Sequence, residues 1–275
     1  MVVKINIFYR FVKDLIREFQ KALKLVTLTD LSRHRHLLAL TYYKLKLKIM
    51  KRLIKFSFQL FFVSALAMAT SCGGGKTGNG GSKSKSVVIG EQEWMVENLN
   101  VTVFRDGSEI EYIEYEDDWN DVHKEKSPAF CYYEFNEENE KISGKLYNWY
   151  AVSDPRGICP EGWRVPTDAD WHQLIEFLGG AESAYDKMKS TSGWDNDDNG
   201  TNESGFNAKP SGIVDIVGQS GLKGVGTIWW ASDPVGIKNA ATRLIYPGYR
   251  YIYTDALSRG QGHSVRCIKE KSLDR

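Results

Sequence analysis

Between Trp163 and Gly180 the alternation of apolar and polar positions changes period. Trp171, Leu174, Ile175 and Leu178 fall at i, i+3, i+4 and i+7, one face of an α-helix. Thr167 stands at the N-cap position with Asp170 three residues on, a capping box, and Asp168 and Asp170 place negative charge in the first turn. Pro166 forces the residue before it into an extended conformation, and the pair Gly179-Gly180 stops the helix. The stretch therefore predicts a short strand at Trp163, a sharp capped turn and a helix of two to three turns. Trp163 and Trp171 are expected to pin that helix to a sheet.

The rest of the pattern is mostly strand-like. Val87–Ile89 and Gln92–Val96 flank Gly90-Glu91 as a tight hairpin. Val101–Tyr115 reads as extended segments broken by turns, and Glu114–Lys126, polar and acidic, as an exposed loop. Phe130–Phe135 and Gly144–Val152 are aromatic, half-buried segments. Ala181, Tyr185 and Met188 predict a second short helix ending before Gly193, followed by a long Asp/Asn/Gly-rich loop from Trp194 to Gly212. Thr227–Ser232, Ala240–Tyr246, Arg250–Thr254 and His263–Lys269 read as strands, and there is no internal repeat. The fold class is α+β, with small sheets, two short helices and a long loop region.

Charge divides the chain. The 275 residues sum to a formal +1, but residues 1–71 hold fourteen Lys/Arg against three acids, and the chain from Cys72 onward holds 22 against 32. An acidic domain of this size is large enough for a core and excludes a nucleic-acid partner, which needs clustered positive charge. Residues 50–71 have the parts of a secretion signal: Lys51, Arg52 and Lys55, then an apolar run from Phe56 to Ala69 shorter than the ~20 residues of a membrane span, then small residues leading into Cys72. This resembles a bacterial lipobox with Ala69 in place of the usual Leu. It implies acylation at Cys72 and a membrane partner through the lipid. Met50 begins an ideal signal, so residues 1–49 are expected to be an upstream extension, and 72–85 (CGGGKTGNGGSKSK) is a flexible tether. The domain then spans 86–270, with a tail at 271–275.

Six segments occur in order: IGEQEWMVENLN, GKLYNWYAV, CPEGWRVPTDADWHQLIEFLGG, GTNESGFNAKPSG, TIWWAS and HSVRCIK. Together they resemble the Fibrobacter succinogenes major paralogous domain, common in lipoproteins of Bacteroidetes and Fibrobacteres, over roughly residues 86–270. The resemblance implies an outer-membrane, lipid-anchored domain and carries no activity to transfer. GWRVPTDADW with a downstream WW and a terminal SVRC is more distantly similar to the formylglycine-generating-enzyme branch of the C-type-lectin-like fold. That likeness implies small twisted antiparallel sheets, two short helices, a long loop region, and N- and C-terminal strands that pair. It also makes Cys159 and Cys267 neighbours, hence a disulfide, with Cys131 the odd thiol; Cys131–Cys159, Cys131–Cys267 and three reduced thiols are the alternatives.

Two constellations remain. Asp195, Asp197 and Asn199 spell D-x-D-x-N-G with Gly200, the first half of an EF-hand-like calcium loop, but position twelve is Phe206 rather than Glu. A solvated acidic turn is the competing reading, so no cofactor is expected beyond this calcium option. Trp194, Trp229, Trp230, Tyr249, Tyr251 and Tyr253 crowd the C-terminal third. Strand alternation places one of Trp229 and Trp230 in the core and the other outward, so Trp194, Trp229, Trp230 and Tyr249 are the candidate ligand contacts. His123, His172 and His263 stand alone, and no carboxylate pair is singled out for glycoside hydrolysis. The reading is a non-enzymatic envelope module that binds glycan or an envelope protein through aromatic and acidic loops. A fimbria-like structural subunit is the alternative and a polysaccharide-acting enzyme the less favoured one.

Overall fold

The computed structural model describes residues 85–271. Cys72, the signal segment, the upstream extension and nearly all of the tether lie outside them. The chain opens with the expected hairpin: β1 (Ser86–Ile89) pairs antiparallel with β2 (Gln92–Met95), and Gly90 turns with a φ of 60°. Next come β3 (Glu111–Tyr112), α1 (Glu116–Glu125), β4 (Ala129–Cys131), α2 (Glu140–Ser143), β5 (Leu146–Tyr147) and α3 (Trp149–Val152). Then β6 (Trp163–Arg164), α4 (Asp168–Phe177) and α5 (Ala181–Met188) form the helix-bearing unit. The chain ends in β7 (Ser211–Val214), β8 (Ser220–Lys223), β9 (Thr227–Val235), β10 (Asn239–Ile245), β11 (Tyr253–Ser258) and β12 (Ile268–Lys269).

Helix α4 forms as its capping residues dictate. Thr167 Oγ1 accepts from Asp170 N at 3.1 Å and the Asp170 carboxylate accepts from Thr167 N at 2.7 Å, closing the capping box. Arg164 then grips the same carboxylate with both nitrogens at 2.6 and 2.9 Å, locking strand β6 to the helix start. Burial works against the Asp170 charge, yet Arg164 and Thr167 hold its carboxyl below the usual range. At the other end Gly180 N bonds to Ile175 O at 3.0 Å, with Gly179 and Gly180 at φ near 90°. Trp171 is the pin: its ring lies 4.8 Å from Trp94 on β2 and 5.7 Å from Trp229 on β9. Trp163 stays half-buried at the sheet edge.

The acidic stretch 114–126, expected as a loop, contains helix α1. Its i, i+3 pair Trp119 and Val122 is buried in a small third core, and three acids in the first turn suit the helix dipole. The long loop after α5 is present, but β7 and β8 follow it, and β11 begins three residues later than the pattern suggested.

Three sheets result: β1-β2-β12-β6, β3-β4-β5 and β11-β10-β9-β7-β8. They are not wholly antiparallel, because β3 pairs parallel with β4 and β7 parallel with β9. The last strand, β12, pairs with β2, the second strand of the N-terminal hairpin. The segment Gly262–Lys269 reaches all three sheets. His263 bridges Tyr147 on β5, Ser264 bridges Trp229 on β9, Gly262 bridges Val214 on β7, and Ile268 pairs with Trp94 and Arg164. Every residue from Gly262 to Ile268 is buried.

Arg266 lies in the middle of that segment, 1% exposed. Its guanidinium donates to Asn98 Oδ1 at 3.1 and 2.8 Å and to the carbonyls of Met95, Val96 and Phe206, and it lies 4.3 Å from the Phe206 ring. Burial pulls its pKa down to about 9, so it keeps its charge at neutral pH. Cys267 bonds to Cys159 with an S–S distance of 2.05 Å across a sequence separation of 108, joining the last strand to the approach to β6. Among the described residues Cys131 is the free thiol, buried, its pKa raised by desolvation.

His263 is fully buried against Trp230, ring centroids 4.5 Å apart, and burial pushes its imidazole down to about 3. The unfolded chain binds that proton near pH 6.5 and the folded one only near pH 3, so stability falls as pH falls through this window. Urea unfolding at pH 4.5 is expected to give a free energy about 2–3 kcal/mol below that at pH 7. His123, also lowered by burial, contributes with the same sign. In His263→Gln the slope should shrink; an equal slope in both proteins would remove the burial argument.

Candidate functional site

Strand β10 leaves the sheet at the buried Ile245, and the chain returns at Ile252, which is also buried and donates its N–H to Ala181 O at 3.0 Å at the start of α5. Between these two anchors Gly248 turns at a φ of 86°. The tyrosines of this turn crowd together on the surface. Ring centroids are 4.0 Å apart for Tyr251–Tyr253, 5.1 Å for Tyr249–Tyr253, 6.1 Å for Tyr249–Tyr251 and 6.5 Å for Tyr246–Tyr249. Tyr249 is 50% and Tyr246 43% exposed, among the most exposed large hydrophobic side chains described. Desolvation by its neighbours, with the Tyr251 hydroxyl, raises the Tyr253 phenol above its usual pKa, so it stays a neutral donor.

An ion-pair network holds this platform against α5. Arg250 projects from between Tyr249 and Tyr251 and binds both Asp186 oxygens at 2.8 Å, with Asp198 at 3.4 Å. Asp198 in turn accepts from the fully buried Lys189 at 2.7 Å and from the Tyr185 hydroxyl at 2.6 Å. The Lys189 ammonium lies 4.2 Å from the Trp194 ring and 4.3 Å from that of Tyr185. Burial lowers the Lys189 pKa against the pull of Asp198, while Lys189 and Tyr185 hold Asp198 below the usual carboxylate range against desolvation.

Trp194, Trp229 and Trp230 do not reach the surface. Trp194 is buried, its indole N–H shared between Ser190 Oγ and Ala208 O at 3.1 Å each. Trp229 and Trp230 alternate as expected, but both faces of β9 are covered. Trp229 packs on Trp171 and Phe206 and donates to Asn98 at 3.0 Å; Trp230 packs on His263 and donates to Tyr147 O at 2.8 Å. Of the four expected ligand contacts, Tyr249 alone is exposed.

Asp195, Asp197 and Asn199, the residues of the calcium expectation, lie in the turn after α5. Asn199 Oδ1 is turned inward to accept Trp194 N at 3.1 Å, and Asp195 N is spent on Gly224 O at 2.8 Å. Asn196 and Asp197 adopt φ of 57° and 55° in this turn. Among the described residues no three His, Cys, Asp or Glu side chains converge.

A family model, the Fibrobacter succinogenes major domain, matches residues 87–269. The chain belongs to this family. No curated protein and no solved structure matches it. Within the major domain a cavity of about 350 Å³ opens beside Cys159 and Ser232, and its two arginines are already engaged. Arg105 donates to Cys159 O and Trp163 O, and Arg164 is held by Asp170. The tyrosine platform is thus the better-built surface of the major domain. Its signal in the sequence was the run YPGYRYIY, with four rings in eight residues; the partners Asp186, Lys189 and Asp198 gave none.

Removing one charge of the Lys189–Asp198 pair leaves the other without its partner. Asp198→Ala is expected to cost about 3 kcal/mol in urea unfolding, and Arg250→Ala, at an exposed pair, about 1 kcal/mol or less. Equal costs would show that the buried lysine is not the stabilising member.

Proposed function

We propose that the domain is a non-enzymatic binding module, held at the outer membrane by a lipid on Cys72, and that the tyrosine platform meets a neutral glycan. The observation that carries this is the platform itself: four tyrosine rings with centroids 4.0–6.5 Å from their neighbours, on a turn anchored at both ends by buried isoleucines. Tyrosine supplies rigid, amphipathic contact area at low entropic cost, with a hydroxyl at the rim for hydrogen bonding. The charges beside it are engaged with one another, Arg250 with Asp186 and Lys189 with Asp198, which suits an uncharged polymer better than a polyanion. Because these carboxylates sit in ion pairs, binding is a better reading of the surface than acid–base hydrolysis. The pairing of the last strand with the N-terminal hairpin, the adjacent helices α4 and α5 and the long loop that follows support a C-type-lectin-like architecture.

Affinity electrophoresis of the full chain against neutral and anionic soluble polysaccharides tests the proposal. Retardation is expected with a neutral polymer, weakened up to about tenfold in Tyr249→Ala and unchanged in Phe177→Ala, an exposed aromatic on α4. Retardation by none of them, or equal loss in both variants, would overturn it.

A further inference from the structure

A second buried lysine has a different set of partners. Lys145, at the entrance to β5, is 3% exposed, and its Nζ lies 2.6 Å from Asn100 Oδ1 and 2.7 Å from Glu140 Oε1. Asn100 Nδ2 donates to that same Glu140 oxygen at 2.9 Å. Amine, carboxamide and carboxylate thus close a triangle of three hydrogen bonds. The rings of Phe130 and Tyr132 lie beneath the ammonium at 5.5 and 5.2 Å. Asn100 is held in place through its neighbour Val101, whose N–H and C=O both bond the hydroxyl of the buried Tyr147 at 2.8 Å. A salt bridge alone would need only Lys145 and Glu140. Here a carboxamide is inserted with its oxygen toward the amine and its nitrogen toward the base.

We propose that Lys145 and Asn100 condense into an intramolecular isopeptide bond, with Glu140 carrying the proton. Glu140 takes a proton from Nζ, and the freed lone pair attacks Asn100 Cγ to form the Nζ–Cγ bond. The tetrahedral intermediate collapses by breaking Cγ–Nδ2 as Glu140 passes its proton to Nδ2; Glu140 then takes the second proton from Nζ and hands it to the departing ammonia. One ammonium and one primary amide become one secondary amide and ammonium ion, with no oxidant, reductant or co-reactant. Fixed proximity of amine and carboxamide replaces a bimolecular encounter. The hydrogen bonds from Lys145 and Asn100 hold the Glu140 carboxyl below its usual range, so it starts as the base. Asn100 is exposed and the Glu140 side chain is 39% exposed, so ammonia has a route out. Lys189 has no such arrangement: its partners are a carboxylate and a phenol, and neither is an amide that can lose ammonia. The bond would tie the segment after β2 to β5 across 45 residues.

Tryptic mapping of the purified full chain decides the matter. The expected product is a branched peptide joining residues 86–105 to residues 142–156, uncut after Lys145 and lighter than its two components by about 17 Da, one ammonia. Lys145→Arg and Glu140→Gln should each yield the unlinked 86–105 peptide. Recovery of the unlinked 86–105 and 146–156 peptides in full from the unmutated protein would overturn the proposal, as would a branched peptide persisting in Glu140→Gln at the wild-type yield.

Discussion

A buried guanidinium bonded to carbonyl and carboxamide oxygens sits at the centre of this domain, and the fold is arranged to make that tolerable. Moving a charge out of water costs several kcal/mol unless dipoles replace the solvent. For Arg266 those dipoles come from the end of β2 (Met95, Val96), from Asn98 and from Phe206 in the long loop. Asn98 in turn accepts from Trp229 and donates to Ser211 and Ser264. The charge is therefore satisfied only when strand, loop and C-terminal segment are all in place. It acts on specificity of assembly more than on net stability.

The same arrangement decides where function can sit. With β9 covered on both faces, its two tryptophans are consumed by two different cores. What remains for a partner is the rim, where loops leave the sheets. The β10–β11 turn is such a rim, and its tyrosines project because Ile245 and Ile252 on either side take the interior positions. The acidic loop behind it is braced from below by Lys189, whose ammonium holds the Asp198 carboxylate under the surface.

Local signals in the chain proved reliable where one element's own residues decide its form. Thr167, Asp170 and the Gly179-Gly180 pair bound α4 as their chemistry dictates, and Gly90 turns the first hairpin. Period-2 alternation at Trp229 and Trp230 was read correctly as a strand and wrongly as half-exposed, because alternation says which faces differ but not whether both are covered. In α1 the charges of Glu116, Asp117 and Asp118 masked the apolar pair Trp119 and Val122. The clusters Lys189–Asp198–Tyr185 and Lys145–Asn100–Glu140 draw members from separate elements and left no mark on any single stretch. The Cys159–Cys267 bridge was expected from the more distant lectin-like resemblance; cysteine spacing alone left three pairings open.

The segment that joins all three sheets is a single short stretch. Without residues Gly262–Lys269, β2, β5, β7 and β9 each lose a bridging partner, Cys159 loses its sulfur mate and the Asn98 cluster loses its cation. One strand-sized piece of chain is thus a keystone: damage to it reaches every sheet at once, whereas damage to the β10–β11 turn stays at the rim.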